Sequence, residues 1–283
     1  MSETARLLVN ADDFGLHEDI DRGILDCVER GRVQSISFSP TGKSVDWKKL
    51  IELQEAGVRV GVHITLVGEP WASDGRVVSG WKELFKRVLL QGNEMNKAME
   101  IEIRRQFQLC GDNRLDPKTL AHLDSHQHVH AFPGVWEPCL LFANEYGIPR
   151  VRVPWCPSPG IIKKGFAGRA LQMLAARRAT EVAEFLPCLG LAHAGCHTAE
   201  IFCSELETAA GAGHPNIEMV VHPGRDTPGL QSRYADWRFH WGVERDALLS
   251  QKFIEAVAAN DYAFDAPASF LSDRNSVKSS KTF

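Results

Sequence analysis

The chain has 283 residues, 44% of them hydrophobic and 24% charged, a length that suits one large domain or two small ones. Lys+Arg 32 against Asp+Glu 36 leaves a net charge of −4, too little positive charge for nucleic acid to be a main partner. No apolar run reaches the ~18 residues of a membrane span, and residues 1–6 lack a secretory signal profile. Seven cysteines without a CxxC pair indicate neither a disulfide framework nor a thiolate zinc site, so a cytoplasmic location is expected.

Residues 6–10 (RLLVN) form a short apolar run that reads as a buried strand ending in polar residues. Ile20, Ile24, Cys27 and Val28 then recur at helical spacing, with Gly31 as a cap. Residues 35–39 (SISFS) alternate as a strand does, residues 47–56 read as a helix closed by Gly57, and residues 58–66 (VRVGVHITL) carry the strongest strand signal. This β-α-β-α-β order predicts parallel strands joined by helices. Further along, residues 81–90 and 96–109 read as helices, 119–124 as a strand, 135–146 as a helix and 149–153 as a strand. Residues 163–185 read as a mostly helical, inserted or lid-forming element. Residues 218–221 (EMVV) are a late strand, 244–260 a final helix, and 272–283 a polar, disordered tail. A single α/β domain over residues 1–271 is expected; the pattern alone does not decide whether its sheet closes.

Four polar constellations follow directly on predicted strands, where parallel α/β folds build their sites. They are Asn10-Ala-Asp12-Asp13-Phe-Gly15, His63 within GVHITL, Asp124-Ser-His126-Gln-His128-Val-His130, and His222-Pro-Gly. Each has a plainer reading: adjacent aspartates commonly cap helices, and a lone histidine in an apolar strand is commonly a core residue. Their shared position favours chemistry. One of the two aspartates can ligate a cation while its neighbour moves a proton. His126, His128 and His130 fall on one side if the segment is extended, whereas a loop would splay them. One carboxylate with two histidines and open positions is a catalytic rather than a closed metal geometry. Arg152 could meet a substrate oxygen or pair with a carboxylate, and Trp71, Trp155 and Trp237 could stack on sugar faces.

NADDFG, the GVHITL strand, LDSHQHVH followed by Phe-Pro, and the late HPG occur in an order that resembles the YdjC-like carbohydrate deacetylases, over roughly residues 7–224. The resemblance implies a distorted (β/α) barrel of the polysaccharide-deacetylase type and a divalent cation, with Mg or Zn ahead of Mn, Co or Ni. It implies Asp13, His63 and His126 as metal ligands, Asp12 as general base and His222 as general acid. His128, His130 and Arg152 are then expected at the substrate. Residues 68–80 and 158–215 depart from the pattern, so the sugar is left undefined.

The function so expected is metal-dependent removal of an N-acetyl group from an amino sugar or oligosaccharide. Two alternatives stand beside it: a deacetylase of a lipid-linked sugar, which apolar residues in the loop 158–166 would favour, and a non-catalytic sugar- or metal-binding module. No partner beyond the acetylated sugar is expected, and a homo-oligomer is left open.

Overall fold

The computed structural model describes residues 5–157 and 166–265. The expected tail at 272–283 and the loop 158–165 lie outside the described residues. Strand β1 (Ala5–Phe14) is central: it pairs in parallel with β2 (Ser35–Phe38), β6 (Asn216–Val221) and β7 (Tyr262–Phe264). The order continues outward as β2 to β3 (Arg59–Ile64) to β4 (Leu123–Ser125), and from β6 to β5 (Cys188–Leu189), with every named pairing parallel.

The sheet curls, and an extended segment joins its edges. Leu123 N–H donates to Arg150 O and Arg152 N–H to Leu123 O, both at 2.9 Å, while Cys188 N–H donates to Trp155 O at 2.8 Å. Residues 150–155 therefore lie between β4 and β5, and the architecture is the distorted (β/α) barrel expected.

Side-chain alternation explains how one barrel holds both a core and a site. Leu7, Val9 and Ala11 of β1, Ile36 and Phe38 of β2, Val60, Val62 and Ile64 of β3, and Ile217, Met219 and Val221 of β6 belong to the apolar core. The intervening positions are mostly polar or glycine, with Asn10, Ser35, Ser37, Gly61, His63 and Glu218 buried there beside the apolar Leu8 and Val220. One parity packs against helices, and the other fills the barrel with polar groups. Each fully buried Leu, Ile or Phe contributes about 1.5–3 kcal/mol, which offsets the desolvation of that interior.

Helix α1 (Glu18–Glu29) follows β1 and buries Ile20, Ile24, Cys27 and Val28, the stripe read from the sequence. A Cβ on its Gly23 would lie 2.2 Å from Gly224 Cα, so this glycine lets α1 touch the HPG backbone. Helices α2 (Trp47–Glu55), α3 (Trp81–Gln91), α4 (Asn93–Asp112) and α5 (Trp136–Tyr146) match expectation to within a few residues. The predicted strand at 119–124 is shorter, because Pro117–Thr119 form a 3-10 turn under the Asp116 cap. Helix α6 (Phe166–Arg178) is shorter than the stretch 163–185. Helices α7 (Ala199–Gly211) and α8 (Pro228–Arg233) were not foreseen. The expected helix 244–260 is two, α9 (Trp241–Leu249) and α10 (Gln251–Ala259), divided at Ser250, whose extended backbone ends one and whose hydroxyl caps Phe253 N–H of the next. Among the described residues no helix is long and apolar enough to cross a membrane.

Candidate active site

The register between β1 and β2 slips by one between Ala11 and Phe14: three steps on β1 oppose two on β2. This bulge carries Asp12 and Asp13. Asp13 takes φ 72°, a left-handed conformation rare outside glycine that costs of order 1–3 kcal/mol. The strain breaks simple alternation, so two consecutive carboxylates are both buried near the carboxyl end of the central strand, each 1% exposed.

Asp13 meets two histidines. His63 Nε2 lies 3.3 Å from Asp13 Oδ1, and His126 Nδ1 lies 2.9 Å from the same oxygen. Burial opposes ionisation of Asp13, but His126 and His63 outweigh it and hold the carboxyl well below its usual range. His63 faces Asp124 with its other nitrogen, Nδ1 to Oδ1 at 2.6 Å. Burial depresses the His63 imidazole, yet Asp124 and Asp12 overcome this and raise it to about 10.

Asp13 Oδ2, His63 Nε2 and His126 Nε2 are buried and make no hydrogen bond. Unpaired buried polar atoms are costly, and an Asp-His-His set that carries them, with ligand atoms all within 4.8 Å of one another, fits a divalent cation. The His63–Asp124 contact is the carboxylate–histidine arrangement that orients a metal-binding imidazole. The three residues expected to be ligands are thus brought together.

Asp12 faces a different partner. Arg152 Nη1 donates to Asp12 Oδ2 at 2.8 Å and Nη2 to Oδ1 at 2.9 Å, with Asn10 Nδ2 adding a bond to Oδ1 at 2.8 Å. Arg152 also reaches Glu218 Oε1 through Nε at 3.0 Å and Nη2 at 2.9 Å, and Asp124 Oδ2 through Nη1 at 2.5 Å. Four hydrogen bonds and the Asp124 ion pair thus engage all three guanidinium nitrogens. Of the two readings open in the sequence, substrate contact or carboxylate pairing, the structure shows the pairing.

The histidine-rich segment turns instead of extending. Gln127 and His128 both have φ 54° inside a 3-10 turn spanning His126–Ala131, so the imidazoles splay. His126 goes to Asp13. His130 turns inward, with Nδ1 2.7 Å from Ser125 Oγ and Nε2 2.7 Å from Arg152 O. Both its ring nitrogens are used and the side chain is buried, so it too offers nothing to a substrate. His128 is half-buried with Nδ1 unpartnered, and remains eligible for substrate.

His222, 8% exposed, leaves β6 directly, and its N–H donates to Glu244 Oε1 at 2.6 Å. Its Nδ1 stands 3.8 Å from that oxygen, an ion-pair rather than a hydrogen-bond distance. Burial pulls the imidazole down, but Glu244, then Asp13 and Asp12, raise it. Trp237 stacks on His126 at 4.7 Å between ring centroids, forming an aromatic wall beside the ligand set. Trp71 is instead a core residue whose Nε1 donates to Leu66 O, and Trp155 packs on Phe185.

Asp124, Glu218, Glu244 and Ser37 were given no role by sequence. Ser37 Oγ donates to Asp124 Oδ2 at 2.7 Å and lies 2.8 Å from His122 Nε2. The signal for Glu218 was present: a carboxylate inside the strand EMVV needs a buried cation, and Arg150 and Arg152 supply two.

The parallel barrel agrees in fold with the comparisons. The chain belongs to the YdjC-like protein family, whose model matches residues 6–259. It is 29% identical over 266 residues to the chitooligosaccharide deacetylase of Serratia marcescens, covering 90% of this chain and 95% of that protein. In fold it is similar to a candidate cellobiose-phosphate cleavage protein from Enterococcus faecalis V583, with a TM-score of 0.67 and 18% identity over 93% of this chain and 98% of the other.

Proposed function

We propose that this protein is a divalent-cation-dependent hydrolase that removes the acetyl group from an N-acetylated amino sugar, as mono- or oligosaccharide. The observation that carries the reading is the convergence of Asp13, His63 and His126, whose ligand atoms lie within 4.8 Å of one another, beside an oriented carboxylate and a raised imidazole. Family membership and the deacetylase named among its relatives supply the substrate class.

Asp13, His63 and His126 would hold the cation. When bound, such an ion supplies Lewis acidity, drawing electron density from a carbonyl and making water a stronger acid. Asp12 is turned by Arg152 and Asn10 so that Oδ2 carries one of those bonds and keeps a lone pair. That oxygen would take the proton of the water attacking the acetyl carbon. His222, whose imidazole is raised by Glu244, would give a proton to the amide nitrogen as the C–N bond breaks, releasing acetate and an amine. Trp237 would pack against the sugar face.

The test is acetate and free-amine release from N-acetylated mono- and oligosaccharides, with Zn, Mg, Mn, Co and Ni each supplied to stripped protein. Matching acetate and amine from at least one sugar is expected. Sugar binding without release under any cation would overturn the proposal in favour of a binding module.

A further inference from the structure

A second histidine-carboxylate cluster lies away from the ligand set, on the loop before α7 and on α7 itself. Glu205 Oε1 faces His193 Nδ1 at 3.2 Å and His197 Nε2 at 3.4 Å, and the three groups offer ligand atoms all within 4.8 Å of one another. We propose that His193, His197 and Glu205 form a second divalent-cation site, of the zinc class and distinct from the one at Asp13.

Four observations support it. First, both contacts exceed the 2.7–2.9 Å of a charge-assisted hydrogen bond and match the separation of about 3.3 Å between ligands on a tetrahedron with bonds of about 2.0–2.1 Å. Second, the buried ligands are held from behind: Gly190 N–H donates to Glu205 Oε2 at 2.7 Å, and the His197 ring stacks on Phe202 at 4.6 Å and 5°. Third, the far nitrogen of His197, Nδ1, lies 3.5 Å from Glu244 Oε2. The carboxylate thus stands behind the imidazole, on the side away from Glu205. Fourth, His193 is 40% exposed at its side chain while His197 and Glu205 are buried, giving a built floor with an entry from solvent. Two histidines and one glutamate leave a coordination position open, and imidazole with carboxylate suits zinc, cobalt or nickel better than magnesium.

The inference does not depend on the deacetylase reading, and its test reads metal rather than turnover. The full chain, stripped with chelator, would be equilibrated with micromolar zinc chloride, dialysed, and assayed for zinc per chain. Two equivalents are expected for the wild type and one for Asp13→Asn. The equivalent kept by Asp13→Asn should be lost on adding His193→Asn or, separately, Glu205→Gln. His193 is surface-accessible, so His193→Asn should keep the native circular dichroism, and it alone should lower wild-type binding from two equivalents to one. Cobalt(II) absorption in the visible range should follow the same pattern. Zinc retained undiminished after His193→Asn and Glu205→Gln, or no zinc on Asp13→Asn at micromolar concentration, would overturn the second site.

Discussion

Arg152 is the residue on which the others depend. Its guanidinium is wholly buried among Asp12, Asp124 and Glu218, with all three nitrogens engaged. Lysine keeps the charge but has three donors on a single atom and no planar fork. Arg152→Lys should therefore leave at least one buried carboxylate unpaired and lose about 3–5 kcal/mol of stability, measured by urea unfolding, with Asp12 no longer held in place. The two aspartates of the bulge should separate by role. Asp13→Asn should bind the cation of the Asp13–His63–His126 set poorly, because an amide oxygen is a weaker ligand. Asp12→Asn should keep that cation while losing about 10²–10⁴-fold in rate, the usual worth of a general base. Metal content and acetate release on both variants check this; retention of full activity by both would leave NADD a purely structural bulge.

At the scale of elements, α1 carries an acid that works against its own charge. Asp21 accepts from Gly15 N–H at 2.6 Å and from Ser44 Oγ at 2.8 Å, tying the helix to the turn that follows the bulge. Burial raises its carboxyl to about 7, only partly opposed by those two bonds. A folded value above the unfolded 3.8 means that the native state holds an extra proton between the two. Stability from this group is thus complete below about pH 4 and lost as pH rises through 7, a fall of roughly 4 kcal/mol at about 1.36 kcal/mol per unit. Asp21→Asn should flatten that part of the profile and unfold at higher urea than the wild type at pH 8. On β3, a Cβ at Gly61 would lie 2.2 Å from the His122 ring. Gly61→Ala should displace that ring from Ser37 and destabilise the barrel by about 1–3 kcal/mol, visible as a lower melting temperature.

Over the whole molecule, the parallel alternation of strand and helix was legible because apolar periodicity and glycine caps are local signals. So was the polar cluster that brings Asp13, His63 and His126 together, since polar residues at strand ends interrupt those signals. Illegible were features that depend on distant partners. The bulge at Asp12 and Asp13 exists only in register with β2. The splaying of His126, His128 and His130 follows from left-handed residues that neither Gln127 nor His128 advertises. Arg152 was legible as polar, but its commitment to three carboxylates required knowing that Asp124 and Glu218 share its interior layer. The strands β5 and β7, of two and three residues, carry too little pattern to be found.

The Asp12–Arg152 bridge spans 140 residues of sequence, and this has a consequence during synthesis. A nascent chain exposes Asp12 to a forming interior long before the guanidinium that neutralises it leaves the ribosome. Glu218 then waits for nothing, whereas the first half of the barrel must wait for the second. Such non-local closure slows folding and leaves intermediates with open strand edges. Fragments ending before residue 150 should accordingly be digested by protease as unfolded chains, and protection should appear only once β6 is included. The same bridge that holds Asp12 in place makes the barrel an all-or-none product of translation.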